Sequence, residues 1–456
     1  MLSARRNRLV PRGLIAAAVC TAVALSGGAV YAAGDSQWSQ LPAKDSVTVL
    51  EPLDFEAGIA PTSAGIQAVV AKPLAEKDLG PSVGVSVIDV GSGDEVYSRA
   101  SATPIMPAST TKIITGTSVL TAYGPDHRLV TRVMRNPTGT DLTIVGAGNP
   151  LLIDGSGDRR SDYGETLNQL AIKTANAIKS GGSSSSTFRI NYDDSLFTGP
   201  QEAPSWPKNY VWDLVVGKIS ALSSRASDDV YNSIPRDAVP TAKKFASLLK
   251  KQGIKVGGGV SKVKSTKNQE LVASVTSAPM SILVGQMMEL SDNTTAENLA
   301  HLAGVKLAGS GSFTGGVQAA QEVLSRLGIS TAGLVLNDGS GLSRKNRITP
   351  ITLAQTLKAS ALSENSAIWA VQSTLPVAGL TGTLVNRFAL EATRPGRGVV
   401  RGKTGALSGV NSLAGLITDS SGRLLTYAFM ADKVKNPDKA RLAWDEAATN
   451  LSKCGC

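Results

Sequence analysis

Ser109 and Lys112 stand three residues apart in the run Ser109-Thr110-Thr111-Lys112, a separation that brings two side chains to one face of a helix. A serine hydroxyl is a weak nucleophile until a base takes its proton. Histidine is the usual base, but neither His127 nor His301 has an evident place beside this serine. A lysine can serve instead where burial or a nearby positive charge lowers its pKa. A helix N-terminus at the serine would also favour developing negative charge. Such a pair attacks a carbonyl and leaves an acyl group on the serine. Taken alone, the four residues would read as a serine cap followed by a surface lysine.

Two later segments supply what else that chemistry needs. In Ser291-Asp292-Asn293, Ser291 can relay a proton to the leaving group, and Asn293 can bind a substrate amide and the Lys112 region. As plain structure the tripeptide is a helix-capping loop. In Lys403-Thr404-Gly405, Lys403 brings a second ammonium that helps hold Lys112 neutral and attracts a substrate carboxylate. Thr404 adds a hydroxyl, and strand alternation points residues 404 and 406 the same way. Backbone N–H groups of Ser109 and Ala406 are the candidate oxyanion donors. Each motif is cheap; their order, spacing and context together carry the signal.

The elements that must position these residues are legible in outline. Alternating Val83, Val85 and Val87, a turn at 90–94 and Glu95-Val96-Tyr97 predict a β-hairpin. Ser109 opens a predicted helix that Gly124-Pro125 closes near Tyr123. Helices are predicted over 163–178, 240–252, 279–290, 296–307, 316–327 and 438–451, and strands over 399–405, 412–418 and 423–431. The fold class is α+β: an antiparallel sheet with helices around it, split by an inserted second domain. The domain reading is a signal peptide at 1–32, a linker at 33–65, a catalytic domain from 66–128 and 277–456, and an inserted domain at 129–276.

Arg5, Arg6, Arg8 and Arg12 precede an apolar stretch from Leu14 to Val30, followed by small residues at Ala32 and Ala33. That pattern predicts a secretory signal cut after Ala32, with an uncleaved N-terminal anchor as the alternative. The expected location is extracytoplasmic, secreted or associated with the envelope, and peripheral membrane association stays open. Cleavage would leave only Cys454 and Cys456, which can pair locally, pair between molecules or stay free. Two histidines and two cysteines imply no metal site, and no cofactor is called for. The net charge of +10 reads as diffuse; with 4% aromatic residues and no basic run beyond the N-terminus, nucleic acid is not an expected partner.

The ordered trio is the known signature of penicillin-binding proteins and class A β-lactamases. The chain resembles the low-molecular-mass class C penicillin-binding proteins, D-Ala-D-Ala carboxypeptidases/endopeptidases of peptidase family S13. Pro107-Ala108-Ser109-Thr110-Thr111-Lys112, Tyr123-Gly124-Pro125-Asp126-His127-Arg128, residues 194–200 (DSLFTGP), residues 338–344 (DGSGLSR) and Gly402-Lys403-Thr404-Gly405 carry the resemblance, which spans about residues 80 to 432. It implies a transpeptidase-like domain interrupted after the first motif and a serine D,D-carboxypeptidase that trims peptidoglycan stem peptides, with endopeptidase activity left open. β-Lactams would acylate Ser109. It also implies Ser109, Lys112 and Ser291 as catalytic, and Asn293, Lys403, Thr404 and Ala406 as substrate-binding.

Two departures stand out. Gly148-Asn149-Pro150 replaces a Gly-Asp-Pro associated with recognising a side-chain amine, and Ala406 replaces a hydroxyl residue, which Ser408 would partly substitute. Two rivals are weighed. A β-lactamase-like hydrolase needs a carboxylate to activate its deacylating water, and no convincing Glu-x-x-x-Asn lies between Ser291 and Lys403. A non-catalytic wall-binding protein would have no use for three intact motifs.

Overall fold

The computed structural model describes residues 58–137, 139–155, 161–182, 186–226 and 234–456. The segment read as a signal peptide, 1–32, falls outside them. In chain order, α1 (Ser63–Leu74), β1 (Ser82–Asp89) and β2 (Glu95–Arg99) lead to a 3₁₀ turn at Ala108–Thr110 and α2 (Thr111–Tyr123). Next come β3 (Arg128–Arg135), β4 (Asp141–Val145), α3 (Leu167–Ser180), β5 (Phe188–Asp193), α4 (Ala238–Lys251), β6 (Val256–Lys262) and β7 (Glu270–Pro279). Five helices follow: α5 (Met280–Leu290), α6 (Asn293–Leu307), α7 (Phe313–Arg326), α8 (Pro350–Ala361) and the short α9 (Ala370–Ser373). The chain returns through β8 (Arg401–Leu407), β9 (Val410–Thr418) and β10 (Leu424–Asp432) to α10 (Pro437–Ser452).

The first sheet has the order β2-β1-β10-β9-β8 and is antiparallel throughout. Its inner strands are apolar almost without interruption because both faces are covered. On β10, Leu425, Tyr427, Phe429 and Ala431 join a core with Trp444 of α10 and Ile66 and Val70 of α1. Ala428 and Met430 point the other way, into a core built with α2, α5, α6 and α8. This sheet therefore has helices on both sides, and its β8 edge lies beside the Ser109 turn.

The second sheet, β6-β5-β4-β3-β7, mixes antiparallel pairs with parallel β4–β5 and β5–β6. Parallel pairing requires crossovers, which α3 and α4 provide. Thr166 and Gln169 form a capping box at the start of α3. Leu170, Ala171 and Ile178 of α3 pack with Phe245 and Leu249 of α4. Strand β6 ends the sheet. Eight lysines and no acid lie between Asp237 and Glu270, and Lys243, Lys250, Lys251, Lys255, Lys262, Lys264 and Lys267 are exposed. The positive charge is thus concentrated here rather than diffuse; residues spaced along a helix and an edge strand form no run in the sequence.

Other expectations shift. Helix α1 begins at Ser63, inside the stretch read as linker, because Thr62 caps it by accepting from the Gly65 N–H. Helix α8, absent from the sequence reading, starts at Pro350 behind the Thr349 cap. Cys454 and Cys456 are disulfide-bonded to each other, and the Cys456 carbonyl accepts from Thr62 N at 2.6 Å.

Candidate active site

Ser109 lies in a 3₁₀ turn that feeds α2, not in the first turn of the α-helix itself. Thr110 Oγ1 donates to Pro107 O at 2.8 Å and Thr111 Oγ1 to Ala108 O at 2.9 Å. Ala108, just before the serine, has φ 49°, a left-handed conformation that costs a non-glycine residue free energy and persists where the surroundings enforce it. Ser412 Oγ of β9 also donates to Pro107 O, at 2.7 Å. Gly405 explains the end of the third motif: a Cβ there would fall 2.5 Å from Pro107 O and 3.2 Å from Ser109 N. Only glycine lets β8 lie against the backbone of the serine turn.

Lys112 is fully buried. Its Nζ lies 3.0 Å from Ser109 Oγ, 2.8 Å from Asn293 Oδ1 and 2.7 Å from Ser340 O. Burial lowers its amine to about 8, against the opposing charges of Glu297, Asp338 and Asp292. Lys403, equally buried, donates to Ser291 Oγ at 2.9 Å and Thr404 O at 2.9 Å. Burial, and then the charge of Lys112, hold Lys403 well below an ordinary lysine. Two ammonium groups in one dry site disfavour each other's charge.

The second motif sits on the α5–α6 junction. Ser291 caps α5 in the left-handed conformation, φ 58°. Asp292 caps α6 by accepting from Thr295 N at 2.9 Å. Asn293 also donates through Nδ2 to Val215 O at 2.9 Å. Thr404 Oγ1 pairs with Thr383 Oγ1 at 3.0 Å. Ala406 is exposed on the same face of β8 as the partly buried Thr404. Ser408 lies beyond the strand, and its carbonyl accepts from Arg344 at 2.9 Å. The structure therefore brings Ser109, Lys112 and Asn293 into one hydrogen-bonded cluster, and Ser291, Lys403 and Thr404 into a second along β8.

Several residues of this neighbourhood escaped the sequence reading. Arg225, buried, bridges Pro150 O at 3.1 Å and Asp292 Oδ2 at 2.5 Å. Burial works most strongly against the Asp292 charge, but Arg225, Thr295 N–H and Gln286 together hold its carboxyl below the usual range. Glu297 is buried one turn beyond Asn293, and burial followed by the Asp338 charge pushes it up to about 8.

Asn149 belongs to the Gly148-Asn149-Pro150 departure. It is buried, and its Oδ1 accepts from Leu151 N at 3.0 Å, closing its own turn. Its side chain braces the loop. Both histidines pack against aromatic rings: His301 lies tilted to Phe197 and edge-on to Phe313, and His127 lies 4.8 Å from the Tyr123 ring. Among the described residues no cluster of His, Cys, Asp and Glu could hold a metal, and no helix is long and apolar enough to cross a membrane.

A serine beside a buried lysine, a Ser-Asp-Asn junction and a Lys-Thr-Gly edge strand invite comparison with known proteins. The chain is 34% identical over 414 residues to Carboxypeptidase Rv3627c of Mycobacterium tuberculosis, covering 88% of this chain and 86% of that one. It is 30% identical over 464 residues to Carboxypeptidase DacB of Mycolicibacterium smegmatis, covering 99% and 98%. The fold matches crystalline penicillin binding protein 4 of Haemophilus influenzae with a TM-score of 0.68 at 21% identity, over 83% of this chain and 97% of that one. The family profile described as D-Ala-D-Ala carboxypeptidase 3 (S13) matches residues 66–228 and 232–451. With nearly all of the described chain inside that match, this protein belongs to the D-Ala-D-Ala carboxypeptidase 3 (S13) family.

Proposed function

We propose that the protein is an exported serine D-alanyl-D-alanine carboxypeptidase that trims peptidoglycan stem peptides through an acyl-enzyme on Ser109. The observation that carries this is the environment of Lys112 Nζ. Two of its three partners, Asn293 Oδ1 and Ser340 O, can only accept. A neutral amine spends both N–H bonds on them, so its lone pair is left facing Ser109 Oγ at 3.0 Å. That is the arrangement a general base requires.

Ser109 then attacks the carbonyl of the penultimate D-Ala, passing its proton to Lys112. Negative charge develops on the carbonyl oxygen, for which Ser109 N–H and Ala406 N–H are the donors. An extended peptide can lie along the β8 edge, where Thr404 and Lys403 draw its terminal carboxylate. The departing amine needs a proton, and Ser291, held by Lys403, is the relay. Water completes hydrolysis and frees Ser109. A β-lactam carbonyl would enter the same steps, and penicillin binding protein 4 of Haemophilus influenzae has been crystallised with a novel β-lactam. A stem peptide joined in a cross-link presents the same D-Ala carbonyl, so D,D-endopeptidase action belongs to the proposal. The arginine-led apolar N-terminus supports export to where peptidoglycan lies.

Fast β-lactam turnover is disfavoured: Glu322 is half-buried on α7 and pairs with Arg326, while both oxygens of Glu297 accept backbone N–H groups. The test is mass spectrometry of the protein after penicillin, together with D-Ala release from a pentapeptide. Ser109→Ala should lose both; an adduct on another serine would reject the assignment.

A further inference from the structure

The segment 338–344 carried part of the family resemblance, yet the steps above use only the carbonyl of Ser340. Its turn is built in a regular way. The Ser340 N–H donates to Glu297 Oε1 at 2.8 Å, and the carbonyl of that same peptide unit, Gly339 O, accepts from Thr115 Oγ1 at 2.6 Å. In the next peptide unit, the Gly341 N–H donates to Asp338 Oδ1 at 3.0 Å while Ser340 O accepts from Lys112 Nζ at 2.7 Å. Two successive peptides thus have a carboxylate at the N–H end and a donor from α2 at the C=O end. Thr115 and Lys112, three residues apart, present those donors from one face of α2.

The two carboxylates are themselves held. Asp338, buried, accepts from Trp206 Nε1 at 2.8 Å, Ser343 N at 2.6 Å and Asn346 Nδ2 at 2.7 Å in addition to Gly341 N. Glu297 takes Gly339 N at 3.0 Å as its second donor. Gly341, at φ 87°, seats the turn on the nucleophile: a Cβ there would lie 1.8 Å from Ala108 O. Any tilt of this turn therefore moves the carbonyl that orients Lys112 and presses on the residue before Ser109.

We infer that Asp338 and Glu297 are positioning residues for Lys112, acting through the 339–340 and 340–341 peptide units to fix the direction of its amine toward Ser109. A negative charge on the N–H side of a peptide polarises it and strengthens its carbonyl as an acceptor, because hydrogen bonds in series reinforce one another. Asp338, and Glu297 when ionised, also favour the ammonium form of Lys112, opposing burial. The inference rests on the reading that Lys112 serves Ser109.

The test is the pH profile of acylation by a fluorescent penicillin in Asp338→Asn and Glu297→Gln. Each should lower the high-pH rate roughly 10- to 100-fold through misplacement of the amine. Asp338→Asn should also move the acid limb to lower pH, by roughly one pH unit for a close charge, since Lys112 loses a group that favours its proton; Glu297→Gln should move it the same way by less, because Glu297 is only partly ionised across that limb. A purely structural role would depress the rate at every pH and leave the limb in place, and that outcome in a folded variant overturns the inference. If neither variant folds, the wild-type protein labelled with ¹³C′-serine and ¹⁵N-glycine still decides. The Gly341 amide must titrate with the midpoint of the acid limb, and an amide that stays constant through it overturns the inference. Ser109→Ala run alongside separates the two levels. Labelling retained there removes the active-site reading, whereas labelling lost there with an unmoved limb in Asp338→Asn and Glu297→Gln removes only the role given to the turn.

Discussion

Asn293 and Glu297 lie one turn apart on α6, and each reaches a partner of Lys112: Asn293 through its own Oδ1 at 2.8 Å, Glu297 through the backbone of Ser340. One helix therefore governs two of the three contacts of the buried amine. Asn293→Asp would place a carboxylate against it and favour the ammonium. Acylation at pH 7 should fall while the acid limb moves above its wild-type position, a shift that rate measurements from pH 6 to 10 would reveal.

In the unaltered protein, Lys112 must lose its proton to act, and its amine is lowered to about 8. Acylation should accordingly rise as pH passes through about 8 and level off above it. Lys112→Ala should reduce it by roughly 100-fold or more and flatten that rise. A normal profile in the alanine variant would place the base elsewhere.

Arg225 and Asp292 form a buried pair at 2.5 Å. Arg225→Met removes one partner and leaves a carboxylate without its counter-charge. The expected loss is about 3–5 kcal/mol of stability, visible in urea unfolding. Because Asp292 caps α6 between Ser291 and Asn293, acylation should weaken as well. Stability unchanged within about 0.5 kcal/mol would mean the pair contributes nothing net.

Burial holds His301 down to about 4, below its ordinary value, despite the Glu297 carbonyl 2.8 Å from Nδ1. The unfolded chain takes up this proton first as pH falls, so stability from His301 is complete above the ordinary histidine range and is lost from about pH 6.5 down through pH 4. The amount is on the order of 3 kcal/mol. His301→Phe keeps an aromatic ring beside Phe197 and Phe313 but removes the titration. Its melting temperature should drop less than that of wild type between pH 7 and pH 4.5; equal drops would show that other groups set the acid sensitivity.

Asn149→Asp would put a carboxylate where a buried amide now accepts from Leu151 N. Desolvation of that charge should cost about 1–3 kcal/mol. The ratio of hydrolysis for stem peptides with free and with amidated side-chain amines should stay as it was. A changed ratio would return Asn149 to the substrate site.

The three motifs were legible because their chemistry depends on residue type and order, and a separation of three residues suffices to bring Ser109 to Lys112 in a helical turn. The antiparallel sheet was legible too, since β9 and β10 are apolar runs bounded by Gly409 and the Ser420-Ser421-Gly422 turn. What stayed hidden depends on long-range contact. Arg225 and Asp292 are 67 positions apart and Glu297 and Ser340 are 43 apart, and neither partner carries a local pattern that names the other. The direction of the Asn149 amide was hidden for the related reason that a Gly-Asn-Pro turn looks the same whether its amide faces a cleft or its own backbone.

The edge strand β6 offers hydrogen-bonding groups along one side and, at Gly257-Gly258-Gly259, almost no side-chain bulk to obstruct a visitor. Such an edge is a template on which a second chain could add a strand. Here the approach is electrically unwelcoming. Lys255, Lys262, Lys264 and Lys267 stand exposed around it, and two copies meeting edge to edge would bring lysine against lysine before a backbone bond could form. The lysine-rich border thus disfavours strand addition by a second copy at this one edge.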